Sequence, residues 1–183
     1  DLRMSLERAS ARETTARVAA GALARRLLAE FGVTVGSYVT EIGGVRADLT
    51  EMPLELRLAQ ARQSEMGCPE AAAAAAMRER VEAIIRAKDT LGGVFEVVIL
   101  GAPPGLGSHV HWDRRLSGRL AQAMLSIHAM KGVEIGEAFE NARKPGTQVH
   151  DEIRLADAEP AALVRPTNRA GGLEGGITTG API

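Results

Sequence analysis

Residues Ser10 to Gly32 read SARETTARVAAGALARRLLAEFG, and this stretch marks a helix at both ends. Ser10 is followed three residues on by Glu13, the spacing of a capping box: the hydroxyl takes a free amide of the first turn and the carboxylate reaches back to the cap. Val18, Ala19, Ala22, Leu23, Leu27 and Phe31 then recur at helical spacing, and Gly32 stops the helix. One feature of the start breaks the local pattern. A helix N-terminus carries about half a positive charge, yet Arg12 lies in the first turn and Arg8 just before the cap. A bound anion resolves the conflict, because free amides, dipole and guanidinium groups converge on one spot. Side chains that swing into solvent, or that meet Glu7 and Glu13, resolve it equally, and the sequence leaves both open.

Outward from this helix, Val33 to Ile42 is β-rich and ends at Gly43-Gly44. A polar stretch runs to Gly67. Pro69 then opens a second helix at its first position, with Met77, Val81, Ile84, Ile85 and Lys88 on the inner face and Leu91-Gly92-Gly93 closing it. Val94 to Leu100 reads as a short buried strand and Ala102-Pro103-Pro104-Gly105 as a turn. Asp113 caps a third helix with Leu116, Leu120, Met124 and Ile127 inward, and Gly132 to Gly136 reads as a strand. Residues 144–167 are polar and proline-bearing with little period. A loop of that length is usually functional or disordered, so a mobile segment from Lys144 to Pro166 is expected. This order permits a parallel α/β sheet or an α+β arrangement, and periodicity does not choose between them.

The 183 residues suit a single domain, with a core large enough to need no staple. A formal charge of −1, from 22 basic and 23 acidic residues, argues against a strongly basic nucleic-acid binder. The 3% aromatic content argues against a base-stacking surface. One cysteine, Cys68, excludes a disulfide framework and any multi-thiolate metal site. No apolar run of membrane-spanning length and no signal peptide is seen, so a soluble, cytoplasmic protein is expected. Arginine outnumbers lysine 19 to 3, which fits either compositional bias or guanidinium forks for phosphate and carboxylate. The chain begins without methionine and ends without a polar tail, as a piece of something longer would.

Few other residues suggest chemistry. Thr167 to Gly180 holds five glycines in fourteen residues. It matches neither a nucleotide P-loop nor a dinucleotide fingerprint, and suits either a tight-turning loop or a backbone that approaches a ligand closely. His109-Val110-His111 with Asp113 hints at a metal site but lacks a third ligand, and no metal is expected. His150-Asp151-Glu152 allows a dyad but fits a solvated charge run better, Cys68 reads as a residue at a helix start, and His128 as either a core histidine or a ligand contact.

Three blocks together resemble chorismate synthases. Glu7 to Gly21, ERASARETTARVAAG, matches a signature of that family along its length; Ser126 to Gly136, SIHAMKGVEIG, resembles its central block; and Asn168 to Gly176, NRAGGLEGG, its glycine-rich block. Asp89-Thr90-Leu91-Gly92-Gly93 and Gly105-Leu106-Gly107-Ser108 agree between them, so the resemblance covers essentially the whole chain. The family's Gly-Glu-Ser-His-Gly motif, a second histidine before the first block and an Arg-x-Asp motif have no counterpart here. The resemblance therefore implies the central part of such an enzyme, as one domain fragment without its catalytic histidines; no catalytic residue is assigned, and these 183 residues alone are expected not to form chorismate.

The resemblance implies an α+β fold, a β-α-β sandwich with long helices packed between antiparallel sheets, assembled as a homotetramer. It implies a lyase of the shikimate pathway, in aromatic amino acid biosynthesis, that removes phosphate from 5-enolpyruvylshikimate 3-phosphate by anti 1,4-elimination. Reduced FMN is required, with NADPH as its reductant. Arg8, Ala9, Ser10, His128, Ala129 and Gly175 match flavin-contacting positions, and Arg12 a substrate-facing arginine. Family members vary at the position of His128, which favours a backbone contact there over imidazole chemistry. A small phosphate substrate is thus the expected partner, with no nucleic acid and no membrane. The competing expectation is a flavin- or phosphate-binding fragment without turnover.

Overall fold

A computed structural model describes residues 1–156 and 163–183. In chain order the elements are α1 (Leu2–Ala9), α2 (Ala11–Ala29), β1 (Thr34–Ile42), β2 (Val45–Arg46), α3 (Leu54–Ala61), α4 (Ala71–Ala87), β3 (Gly93–Leu100), α5 (Leu116–Leu125) and α6 (Ala138–Asn141). Two short two-stranded pieces of sheet follow, β4 (Arg154–Leu155) with β5 (Leu163–Val164), then β6 (Leu173–Glu174) with β7 (Ile177–Thr178). The chain divides into two compact units, residues 35–98 and residues 1–34 with 99–183.

In the unit of residues 35–98, β1 is the central strand of a sheet ordered β2-β1-β3. The Gly43-Gly44 turn, both residues at positive φ, joins β1 to an antiparallel β2 with Glu41 opposite Arg46 and Ile42 opposite Val45, as a two-residue hairpin requires. Cys68, Ala73 and Met77 form the buried centre, with Val39, Ile42, Val45 and Ala47 packed on it. Full burial of a side chain such as Met77 contributes about 1.5–3 kcal/mol. Burial also pushes the Cys68 thiol pKa up, which suits a packing residue rather than a nucleophile.

Several sequence expectations need correction in this unit. Pro69 does not open α4 at its first position: Glu70 is the N-cap, extended, with its carboxylate accepting from the Asp48 amide. Ile85 is 67% exposed rather than inward, one step off the Ala73–Met77 face. Lys88 is exposed rather than on the inner face, and ends the helix in the left-handed conformation. The polar stretch before Gly67 contains α3. Of β3 only Val98 is fully buried, because this strand lies at the sheet edge.

In the other unit, α2 starts at the expected cap, with Ser10 Oγ accepting from the Arg12 amide, and Gly32 follows it at φ 74°. Its periodic apolar residues are exposed, Leu23 and Phe31 at 75% and 72%. An additional helix, α1, precedes it. Ile99 and Ile183 exchange backbone hydrogen bonds of 2.8 and 3.0 Å, tying the end of the chain down. Asp113 lies in a short 3-10 turn, Trp112–Arg114, and α5 is capped by Arg115 instead. Half-buried Leu116, Leu120, Met124 and Ile127 keep to one side, as expected. Gly132 to Gly136 is not a strand: the close approach of Gly136 and Gly171, where an added Cβ would lie 2.5 Å from the Gly171 amide, replaces a strand ladder. The segment after Lys144 carries a 3-10 turn, Gly146–Gln148, and the β4–β5 pair, Arg154 opposite Val164 and Leu155 opposite Leu163. The expected mobility of this segment falls partly on residues 157–162, outside the described residues.

Candidate functional site

All the candidate residues belong to the unit of residues 1–34 and 99–183. The junction of α1 and α2 places Arg8, Ala9, Ser10 and Arg12 together. Arg8 occupies the last turn of α1, where a cation is favoured by the dipole. The mismatch seen in the sequence therefore reduces to Arg12. Its guanidinium is exposed and makes no ion pair among the described residues. Glu13, the acid nearest to it in sequence, is engaged elsewhere. Both Glu13 carboxylate oxygens accept from Arg17 Nε, at 2.6 and 2.8 Å. The capping box is accordingly half formed: Ser10 caps, but Glu13 turns forward to Arg17.

Arg17 carries the site on to the central block. Its Nη1 donates to Ser126 Oγ at 2.8 Å, and that hydroxyl donates to the Ala123 carbonyl at 2.7 Å. His128 Nε2 lies 3.9 Å from Glu13 Oε2. Ala129 then sits at φ 66°, in the left-handed region, a conformation that costs an L-residue about 1–2 kcal/mol. Such strain persists where surrounding contacts enforce it, and it gathers at ligand sites. Nothing in the identity of an alanine signals it.

The central block meets the glycine block through Glu137, whose amide donates to the Arg169 carbonyl at 3.2 Å, and Asn141, whose Nδ2 donates to the same oxygen at 3.0 Å. Buried Asn141 Oδ1 has no partner among the described residues. Within the glycine block, Gly171 approaches protein backbone so closely that no side chain fits. Gly175 differs: its φ of 60° calls for glycine, yet an added Cβ would meet nothing within 4 Å. The tail is thus a tight turn against protein backbone at Gly171 and an open backbone at Gly175. The first joint thus brings the Ser10 helix to Ser126 and His128; Gly175 belongs to the glycine block beyond the second.

Asp151 is the residue that the sequence reading missed. It is buried, not solvated. Its Oδ1 accepts from Thr167 Oγ1 at 2.6 Å and the Arg169 amide at 2.9 Å, and its Oδ2 from the Ala170 amide at 2.9 Å. Burial would raise its pKa, but the Thr167 hydroxyl, the two amides and the Arg169 charge outweigh it and hold the carboxyl below its ordinary range. His109 and His111 flank a bend rather than sharing a strand face. Among the described residues no three His, Cys, Asp or Glu side chains gather as metal ligands, and no helix is long and apolar enough to cross a membrane.

A family model described as chorismate synthase matches residues 1–183. The chain belongs to the chorismate synthase family. It is 52% identical over 188 residues to the chorismate synthase of Geobacter metallireducens, covering 100% of this chain and 48% of that protein. It is 56% identical over 181 residues to that of Symbiobacterium thermophilum, covering 98% of this chain and 46% of the relative. A solved structure titled "Crystal Structure of Chorismate Synthase" matches with a TM-score of 0.92 and 48% identity, over 100% of this chain and 57% of that one. That likeness assigns the α+β fold, with helices and small antiparallel sheets. The chain spans about half the length of the curated chorismate synthases it matches.

Proposed function

We propose that these residues are the central part, within one domain, of an enzyme that eliminates phosphate from 5-enolpyruvylshikimate 3-phosphate to give chorismate. The observation that supports this most is Arg12: an unpaired guanidinium in the first turn of a 19-residue helix whose neighbouring acid is held by Arg17. A phosphate or carboxylate placed there meets a fork donor and a helix N-terminus at once. Arg8, across the junction, adds a second positive charge.

The residues also suit reduced FMN. Ala129 presents a strained backbone and Gly175 an open one, and both kinds of site let a flat ring or its phosphate come close to the chain. Arg8, Ala9, Ser10, His128, Ala129 and Gly175 would hold it, with the polar contacts at Ser10 and His128 made by backbone. Reduced flavin, when bound, supplies transient electron density that helps expel the phosphate. Arg12 would orient the phosphate-bearing substrate and stabilise charge on the leaving group. Working in the cytoplasm as a homotetramer, with NADPH reducing the flavin, completes the proposal.

The test is chorismate formation by the complete polypeptide, given the substrate and reduced FMN without oxygen. Turnover supports the reading. Flavin binding without chorismate would make the protein a binding module instead, and failure to bind either ligand would remove both readings.

A further inference from the structure

We infer that Asp151 and Arg165 are positioning residues for the turn that presents Gly175, an inference that rests on the proposed flavin contact there. The turn joins β6 to β7, with Leu173 opposite Thr178 and Glu174 opposite Ile177. Gly175 and Gly176 are its two loop residues, at φ 60° and 92°, the pattern of a type I′ hairpin. A two-stranded hairpin this short is marginal by itself, so its aim depends on what grips its flanks.

The β7 flank is held by backbone, with the Leu116 amide donating to the Gly176 carbonyl at 2.8 Å and Thr178 bonded to Gly105 and Leu106; two side chains grip the β6 flank. Asp151 fixes the segment where it begins, through the Thr167 hydroxyl and the amides of Arg169 and Ala170. Arg165 fixes it where it ends. Its Nη1 and Nη2 donate to Glu174 Oε1 and Oε2 at 3.2 and 2.8 Å, and Nη1 also donates to the Asp151 carbonyl at 3.2 Å. One guanidinium thus links the backbone of the buried aspartate to the residue before Gly175. The Arg165 side chain is only 20% exposed, which keeps this fork in place. An added Cβ at Gly175 would meet nothing within 4 Å, so its position is set by what holds the strands on either side of it.

The test uses the complete polypeptide with Arg165→Gln, Glu174→Gln and Arg165→Lys. Two readouts are taken: the FMN dissociation constant from flavin fluorescence, and amide hydrogen exchange across residues 173–178 without FMN. Loss of the bidentate pair is expected to raise the FMN dissociation constant roughly tenfold in Arg165→Gln and in Glu174→Gln. Exchange at Glu174 and Ile177, the pair that closes the turn, should quicken, and Arg165→Lys should recover part of both effects. Glu174 is 43% exposed, so Glu174→Gln leaves the buried carboxylate intact and should fold even where Arg165→Gln does not. An unaltered FMN dissociation constant and unaltered exchange in a Glu174→Gln protein whose parent binds FMN would overturn the inference. A parent that binds no FMN would overturn it together with the proposed flavin contact.

Discussion

Arg17 grips both carboxylate oxygens of Glu13 from one helical turn away, and the same guanidinium reaches Ser126. The acid comes first and the base four residues later, the favourable order on a helix. Such partly exposed pairs contribute only about 0.3–0.5 kcal/mol, too little to account for the arrangement through stability. Its consequence is positional: Glu13 is kept away from Arg12, and the turn leading to His128 is tied to α2.

Arg17→Gln should therefore leave folding almost intact and weaken ligand binding. Glu13, released, can neutralise Arg12, and Ser126 loses its donor. The expected outcome is a melting temperature nearly level with the parent and a several-fold higher dissociation constant for 5-enolpyruvylshikimate 3-phosphate. Calorimetric titration and a thermal melt check this; equal binding in both proteins would make the pair ornamental.

Arg12→Ala tests the anion site directly. Loss of a charge-assisted contact should cost roughly 2–4 kcal/mol of substrate binding. Removing a cation from a helix N-terminus should hold the ligand-free melting temperature level or raise it slightly. Unchanged affinity with a large fall in melting temperature would mean that Arg12 only supports the fold.

The start of α2 was legible because a cap acts on its own first turn, so Ser10 and its neighbours carry the whole signal. α3 was not. LELRLAQA alternates leucine with charged residues, which hides Leu54, Leu58 and Ala61 at helical spacing, although Leu58 and Ala61 are buried. Gly132 to Gly136 looked like a strand because β-branched residues stand between glycines, but its partner is the Gly171 turn. Asp151 was misread for the same reason. Its partners lie 16 to 19 residues away, and nothing in His150-Asp151-Glu152 reveals them. The α1–α2 junction and the glycine block were legible in composition; the roles of Glu13, Arg17 and Arg165 depend on contacts between distant segments.

Asp151→Asn should destabilise the protein by about 1–3 kcal/mol, since an amide cannot accept from all three donors and turns an N–H toward one of them. The carboxyl pKa is lower folded than unfolded. Its contribution is thus complete above the unfolded value and is lost as pH falls through the folded one. Urea unfolding at neutral pH and at successively more acid pH should show the two proteins converging in stability as the medium is acidified. A constant gap would show that the charge is not what matters.

Tyr38 is the single tyrosine of the 183 residues, so its ionisation is readable by tyrosinate absorbance in this chain. It is 2% exposed. Its hydroxyl donates to Glu96 and accepts from Arg57 Nη1 at 3.1 Å. Its pKa is raised to about 12, by burial first and by Glu96 next, with Arg57 offsetting part of the rise. In the unfolded chain the phenol ionises near its ordinary value of 10.0. Stability is therefore fully present below pH 10 and falls as pH rises toward about 12, because only the unfolded state releases the proton early. Tyr38→Phe keeps a ring beneath the Arg57 guanidinium, which lies 5.8 Å from the ring centre, and Arg57 keeps its bonds to the Met52 and Leu49 carbonyls. Glu96 loses its donor and Arg57 Nη1 its acceptor, at a cost of about 1–2 kcal/mol. The variant should be less stable at neutral pH and should lack the alkaline loss specific to Tyr38. A spectrophotometric titration with a midpoint near 10 in the folded parent would show that the Tyr38 hydroxyl is open to solvent and that this account of its burial is wrong.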